Sequence, residues 1–270
     1  MDRETPSTAH IHSRKPKSGT TAIAALLAAA TAQSLTRDFA GAEQPFVQRL
    51  LNGDMPMQKF VRRNAWAFSS AIIKEPTLTF VAPALLRHFP DSPVVFIVRN
   101  PFDNLRSMLV RQKLRGDLSN LPTGIRLNPT WRKILAGTDL RVTQAHYINT
   151  LAHRWLRAIN IFQEVQDRCL LIRYEDFNEA KVPVIAKIAG ALNLPVVSDV
   201  TPLANYAFQR RDALPISTKD FFGANYARIE ALCGSAYREL NSFVGMREAQ
   251  LPKPSQLQPR FSRVYASAER

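Results

Sequence analysis

The run Val94-Val95-Phe96-Ile97-Val98 has five apolar residues, mostly β-branched, and nothing polar to turn towards water. An unbroken apolar strand of this kind suits a parallel sheet covered on both faces. The residues after it define the next connection. Arg99 ends the strand, Asn100 can cap a helix, Pro101 fits its first turn, and Asp103 suits the positive end of its dipole. A helix is expected from there to about Arg115. Leu170-Leu171-Ile172-Arg173-Tyr174 reads as a second buried strand, and Ala71-Ile72-Ile73 before Lys74 as the end of a third. Strands alternating with helices predict an α/β fold with a parallel sheet.

The expected helices are an Ala/Leu-rich one running to about Leu35, then Pro45–Asn52, Phe80–His88, Thr143–Val165, Val182–Leu192 and Tyr226–Phe243. In the fourth of these, Ile148, Leu151, Trp155, Ile159 and Phe162 recur at helical spacing. Asp38–Gln44 reads as a loop, and residues 116–140, with Pro122, Gly124, Pro129 and Gly137, as a long irregular connection of the kind that forms lids. Residues 1–13 read as an arm with a short strand near Ala9–His12, residues 14–247 as one domain, and residues 248–270 as an extended, Pro-containing tail.

Two cysteines, Cys169 and Cys233, exclude a disulfide scaffold or a zinc cluster, and Cys169 reads as a small buried hydrophobe. The five histidines form no close motif, so no metal is expected. Thirty-six Lys+Arg against 22 Asp+Glu give a formal net charge of +14, which favours anionic partners. Residues 1–18 do not resemble a signal peptide. The longest apolar stretch, Ala22–Leu35, is broken by Thr31, Gln33 and Ser34 and is too short to span a bilayer. A cytoplasmic protein without a transmembrane segment is expected.

Two motifs carry chemistry. In Pro16-Lys17-Ser18-Gly19-Thr20-Thr21 a glycine opens an apolar helix, where backbone N–H groups point at anions. Thr20 and Thr21 add hydroxyl donors and Lys17 a point charge. Lys17 precedes Gly19, so this is not the loop of an ordinary ATPase or GTPase, whose Lys follows the second Gly. The other motif is Arg99-Asn100-Pro101 with Ser107 eight residues beyond Arg99. Arg99 leaves the carboxyl end of a strand, where open α/β sheets bind ligands, and an Arg fork with a hydroxyl suits a second phosphate.

Together these motifs resemble the PAPS-dependent sulfotransferases (PAPS is 3′-phosphoadenosine-5′-phosphosulfate). In motif style they are closest to the tyrosylprotein and bacterial carbohydrate enzymes. Arg173-Tyr174-Glu175-Asp176-Phe177 resembles a further segment of that family, as does the helix Ala152–Ile161 with Trp155 and Asn160; the resemblance runs from about Pro16 to about Gly245. It implies a single three-layer α/β domain, with a central parallel sheet, a PAPS-type phosphate-binding loop, and helices on both faces. It implies sulfuryl transfer from PAPS to an acceptor hydroxyl, releasing 3′,5′-ADP without a metal. The acceptor is a carbohydrate, a tyrosyl group or a small metabolite, with an acidic glycan or peptide compatible with the basic charge; no nucleic acid is expected.

By the same resemblance Lys17, Ser18, Gly19, Thr20 and Thr21 hold the 5′-phosphosulfate, Arg99 and Ser107 the 3′-phosphate, and Tyr174 reaches the adenine. Lys219, in Ile216-Ser217-Thr218-Lys219, adds charge near the 3′-phosphate. Glu43 is the favoured base and Lys74 its electrostatic partner, with Glu75 the second choice of base. The basic stretch Arg106, Arg111, Lys113 and Arg115 reads as a solvated helix face. One departure stands out: Thr8–Lys15, ahead of the phosphate loop, is too polar for a good buried strand. It motivates an alternative, a catalytically impaired relative that binds nucleotide or polyanion without turnover. A phosphoryl-transfer kinase is the third reading, and the missing kinase-type loop speaks against it.

Overall fold

The computed structural model describes residues 19–42, 46–204 and 216–247. The expected arm, the strand near Ala9–His12, the tail, and Lys17, Ser18 and Glu43 lie outside them.

The first helix, α1 (Thr20–Thr31), stops four residues short of the expected Leu35. The Thr31 hydroxyl bonds back to the Leu27 carbonyl at 2.7 Å, and Ala32 turns left-handed at φ 51°. The chain then reverses into β1 (Leu35–Arg37), which pairs in parallel with β2 (Ile72–Lys74). A three-residue strand is too short for periodicity to reveal, so β1 had no sequence signature. Between these strands lie α2 (Phe46–Leu51), α3 (Met57–Arg63) and α4 (Ala65–Phe68). A 3₁₀ stretch, Pro76–Val81, leads into α5 (Ala82–His88).

The apolar run forms β3 (Val94–Val98), and α6 (Pro101–Arg111) follows with the Asn100 side chain accepting from the Phe102 N–H at 2.9 Å. Within the expected irregular connection the structure contains a helix, α7 (Pro129–Ala136). Asn128 caps it through the Trp131 N–H at 2.8 Å, and Trp131 is fully buried. Next come α8 (Tyr147–Val165) and β4 (Cys169–Arg173). The remaining helices are α9 (Tyr174–Glu179), α10 (Lys181–Ala191), α11 (Thr201–Ala204), α12 (Thr218–Phe222) and α13 (Asn225–Arg247).

β3 and β4 pair in parallel from Val94 opposite Cys169 to Val98 opposite Arg173. Among the described residues the four strands form two separate two-stranded ladders, not one continuous sheet. Successive strand side chains point to opposite faces, and each face of the β3–β4 ladder has its own core. Phe96, Val98 and Cys169 join α6, α8 and α13 through Leu105, Leu151 and Ile229. Val95, Ile97, Leu170 and Ile172 face Ile23, Leu26 and Leu27 of α1 and Ile185 and Ile188 of α10. Ile72 of β2 joins this second cluster, so α1 packs against both ladders. A third cluster, Phe39, Phe60, Phe68 and Leu78, fills the space behind β1 and β2. The fold is thus mixed α/β, with parallel strands between helices.

Candidate active site

α1 reaches β1 through Ala32, Gln33 and Ser34, so it runs antiparallel to the strands it covers. Its twelve residues span about 18 Å. Its N-terminus therefore stands at the carboxyl ends of the parallel strands, where open α/β sheets bind ligands. Gly19 occupies the N-cap with φ 76°, a conformation natural to glycine. No side chain caps the helix, and its first turn holds no carboxylate. Helix N–H groups at such a start can meet a phosphate. Gly19, Thr20 and Thr21 of the predicted loop form this helix start.

Tyr174 meets this helix start directly. A Cβ on Gly19 would lie 2.0 Å from the Tyr174 ring, so the ring rests against the glycine backbone. On its other contact the ring carries Arg99, whose guanidinium carbon lies 4.8 Å from the ring centroid. Cation–π contact of this kind holds a guanidinium plane without neutralising its charge. Gly19, Tyr174 and Arg99 come from the starts or ends of three different elements, and the fold stacks them into one surface.

The backbone around Arg99 is fixed on both sides. The Trp155 indole donates to the Arg99 carbonyl at 3.1 Å. The next N–H, of Asn100, donates to Glu175 Oε1 at 2.8 Å. The Tyr237 hydroxyl bonds with Asn100 and Asn241; burial first, and the Glu175 carboxylate second, raise it above an ordinary phenol. Trp155 thus connects its helix to the Arg99 turn, and Glu175 connects the segment after β4 to the start of α6.

Ser107 is half-buried on α6, about two turns beyond the Arg99 turn. Its neighbour Arg106 departs from the expected solvated face. Arg106 donates to the Thr218 hydroxyl at 3.0 Å and to the Ile216 carbonyl at 2.7 Å, and lies 5.4 Å from the Phe221 ring centroid. It ties the start of α12, next to exposed Lys219, to α6. Nothing in the sequence distinguished Arg106 from the other basic residues of its helix; its partners lie more than a hundred residues away.

At the carboxyl ends of β1 and β2 the structure adds a residue that sequence reasoning missed. Asp38 accepts a hydrogen bond from the Lys74 ammonium at 2.6 Å, with side-chain exposures of only 10% and 6%. Glu75 is buried as well, but its Oε1 accepts from the Thr77 N–H at 3.0 Å and caps the following 3₁₀ turn. Among the described residues no group of His, Cys, Asp and Glu is placed to hold a metal ion, and no helix is long and apolar enough to cross a membrane.

The parallel strands packed between helices, with the Arg99–Tyr174 stack just past the end of β3, define an α/β protein. The chain belongs to the sulfotransferase family, whose model matches residues 30–199. That span includes Lys74, Arg99, Ser107 and Tyr174, while Gly19, Thr20 and Thr21 precede it. No curated protein and no solved structure matches the chain.

Proposed function

We propose that the chain transfers a sulfuryl group from PAPS to an acceptor hydroxyl and releases 3′,5′-ADP. The observation that carries this reading is the stack of Gly19, Tyr174 and Arg99, which brings the 5′-side and 3′-side motifs onto one surface. The residues fit the donor: a glycine-opened helix start for one anionic group, and an Arg held just past a strand end for another. Domain limits of 14–247 fit the same reading. So does a three-layer fold in which the two ladders are parts of one central sheet, a reading supported by α1 packing against both.

The transfer requires that charge growing on the leaving phosphate be met by donors already in place. Lys17, Thr20 and Thr21 serve that end. Arg99 and Ser107, with Lys219 nearby, bind the 3′-phosphate, and Tyr174 orients the adenine. Glu43 takes the acceptor proton, and Lys74 supplies positive charge beside the transferring group. The acceptor is a carbohydrate, tyrosyl or small-metabolite hydroxyl, and the site is cytoplasmic.

A second reading, binding without turnover, draws on the polar Thr8–Lys15 sequence ahead of the phosphate loop. Calorimetric titration with 3′,5′-ADP and 5′-AMP, on the wild type and Arg99→Ala, tests the donor site. Micromolar binding that needs the 3′-phosphate and is lost in the variant supports it; absence of binding in folded protein overturns it. Turnover of PAPS then separates transfer from mere binding.

A further inference from the structure

Asp38 and Lys74 are the residues at or just past the carboxyl ends of two paired parallel strands. They are joined twice. The Asp38 N–H donates to the Lys74 carbonyl at 3.0 Å, continuing the ladder, and the ammonium donates to the carboxylate at 2.6 Å. Asp38 has φ 48°, a left-handed conformation that Asp tolerates better than most residues. This turn departs from the extended strand just where the carboxylate meets Lys74. Phe39, 1% exposed, then anchors the chain among Phe60 and Phe68.

A buried ion pair is weak evidence for stability, because desolvation offsets much of the attraction. Its place at the strand ends argues for another purpose. A lysine has a long, flexible stem, and a charge that is to act on one atom must be held in one place. We propose that Asp38 is a positioning residue that holds the Lys74 ammonium towards the transferring sulfuryl group. The assignment rests on the PAPS reading given above and adds a residue to it.

The test uses the full chain and the slow transfer from PAPS to water, which needs no knowledge of the acceptor. In that reaction the bond from sulfur to the phosphate oxygen breaks with its electrons going to that oxygen. A water oxygen bonds to sulfur, and its proton passes to solvent. Asp38→Asn keeps an oxygen acceptor but removes the charge, and Lys74→Met keeps the stem but removes the ammonium. Each variant is expected to release 3′,5′-ADP roughly 100-fold more slowly, while affinity for 3′,5′-ADP stays within about threefold. The double variant is expected to be no slower than Lys74→Met alone, because Asp38 acts through Lys74. If Asp38→Asn melts below the assay temperature, Asp38→Glu serves for the comparison, with a rate between those of wild type and Lys74→Met.

A wild-type rate in Asp38→Asn, or a double variant slower than Lys74→Met by the full Asp38 factor, overturns the assignment. Loss of rate that merely follows loss of 3′,5′-ADP affinity also overturns it, since that is a structural role. Wild-type protein that binds 3′,5′-ADP but never consumes PAPS leaves no transfer for the pair to serve, and the assignment falls. Failure of the PAPS reading itself shows differently, as absent 3′,5′-ADP binding in folded wild type.

Discussion

The guanidinium of Arg99 lies 4.8 Å from the centre of the Tyr174 ring, and the same ring rests on Gly19. Arg99 follows β3, Tyr174 begins α9, and Gly19 is the N-cap of α1, so this contact joins three elements of distant sequence. Anything that moves the ring moves both motifs proposed to bind the donor.

Gly19→Ala is therefore expected to harm the site in two ways. A side chain at φ 76° is strained by about 1 kcal/mol, and the new Cβ would enter the Tyr174 ring. Binding of 3′,5′-ADP, read by calorimetry, should weaken by at least roughly tenfold, or about 1.4 kcal/mol. Adding Tyr174→Ala should recover melting temperature without recovering affinity.

Trp155→Phe removes the indole donor to the Arg99 carbonyl and keeps an aromatic ring in the core. One neutral hydrogen bond contributes about 1 kcal/mol. Affinity for 3′,5′-ADP should fall by about fivefold, with the preference over 5′-AMP reduced. An unchanged preference would show that the indole does not set the Arg99 position.

Arg154 and Asp139 form an ion pair away from the proposed site, with side-chain exposures of 8% and 1%. Burial pulls the Arg154 pKa down, and the Asp139 carboxylate opposes it; the guanidinium also lies 4.6 Å from the Phe80 ring centroid. Arg154→Leu leaves Asp139 buried without its partner and should cost about 3–5 kcal/mol in urea unfolding. Replacing both residues with Leu should recover most of that loss. Affinity for 3′,5′-ADP, measured well below the melting temperature, should stay the same.

His146 is buried, and among the described residues neither ring nitrogen has a hydrogen-bond partner. Burial first, and Arg228 second, hold its pKa below the ordinary histidine value. Protonation is thus harder in the folded state than in the unfolded state. The contribution to stability is complete above the unfolded value near about pH 6.5, and falls as pH drops through the lower folded value. His146→Gln should flatten the loss of stability below about pH 6.5 in urea titrations at stepped pH. An unchanged acid slope would place the titrating group elsewhere.

Some of this was already set by local sequence. The apolar run Val94–Val98 became β3, and Asn100 and Pro101 start α6 as caps of their type do. Cys169 is buried as a small hydrophobe, and Gly19 opens α1. These features depend on neighbours within a few residues, where propensity and period act. β1 and α7 were not legible, the first because three residues carry no period, the second because Pro129 and Gly137 read as breakers when they begin and end a helix.

The site was legible only as separate motifs. Gly19, Arg99 and Tyr174 could be named from the sequence, but their stacking depends on three elements meeting at one edge of the fold. Arg106 and Asp38 could not be picked out at all. Each is an ordinary charged residue until its partner arrives from a distant element, Thr218 for one and Lys74 for the other. Sequence determined the long apolar strand and the caps and periods of the longer helices, because those follow from local backbone chemistry. Tertiary structure decided which charges are held and by what, because burial and hydrogen-bond distance exist only once distant segments pack together.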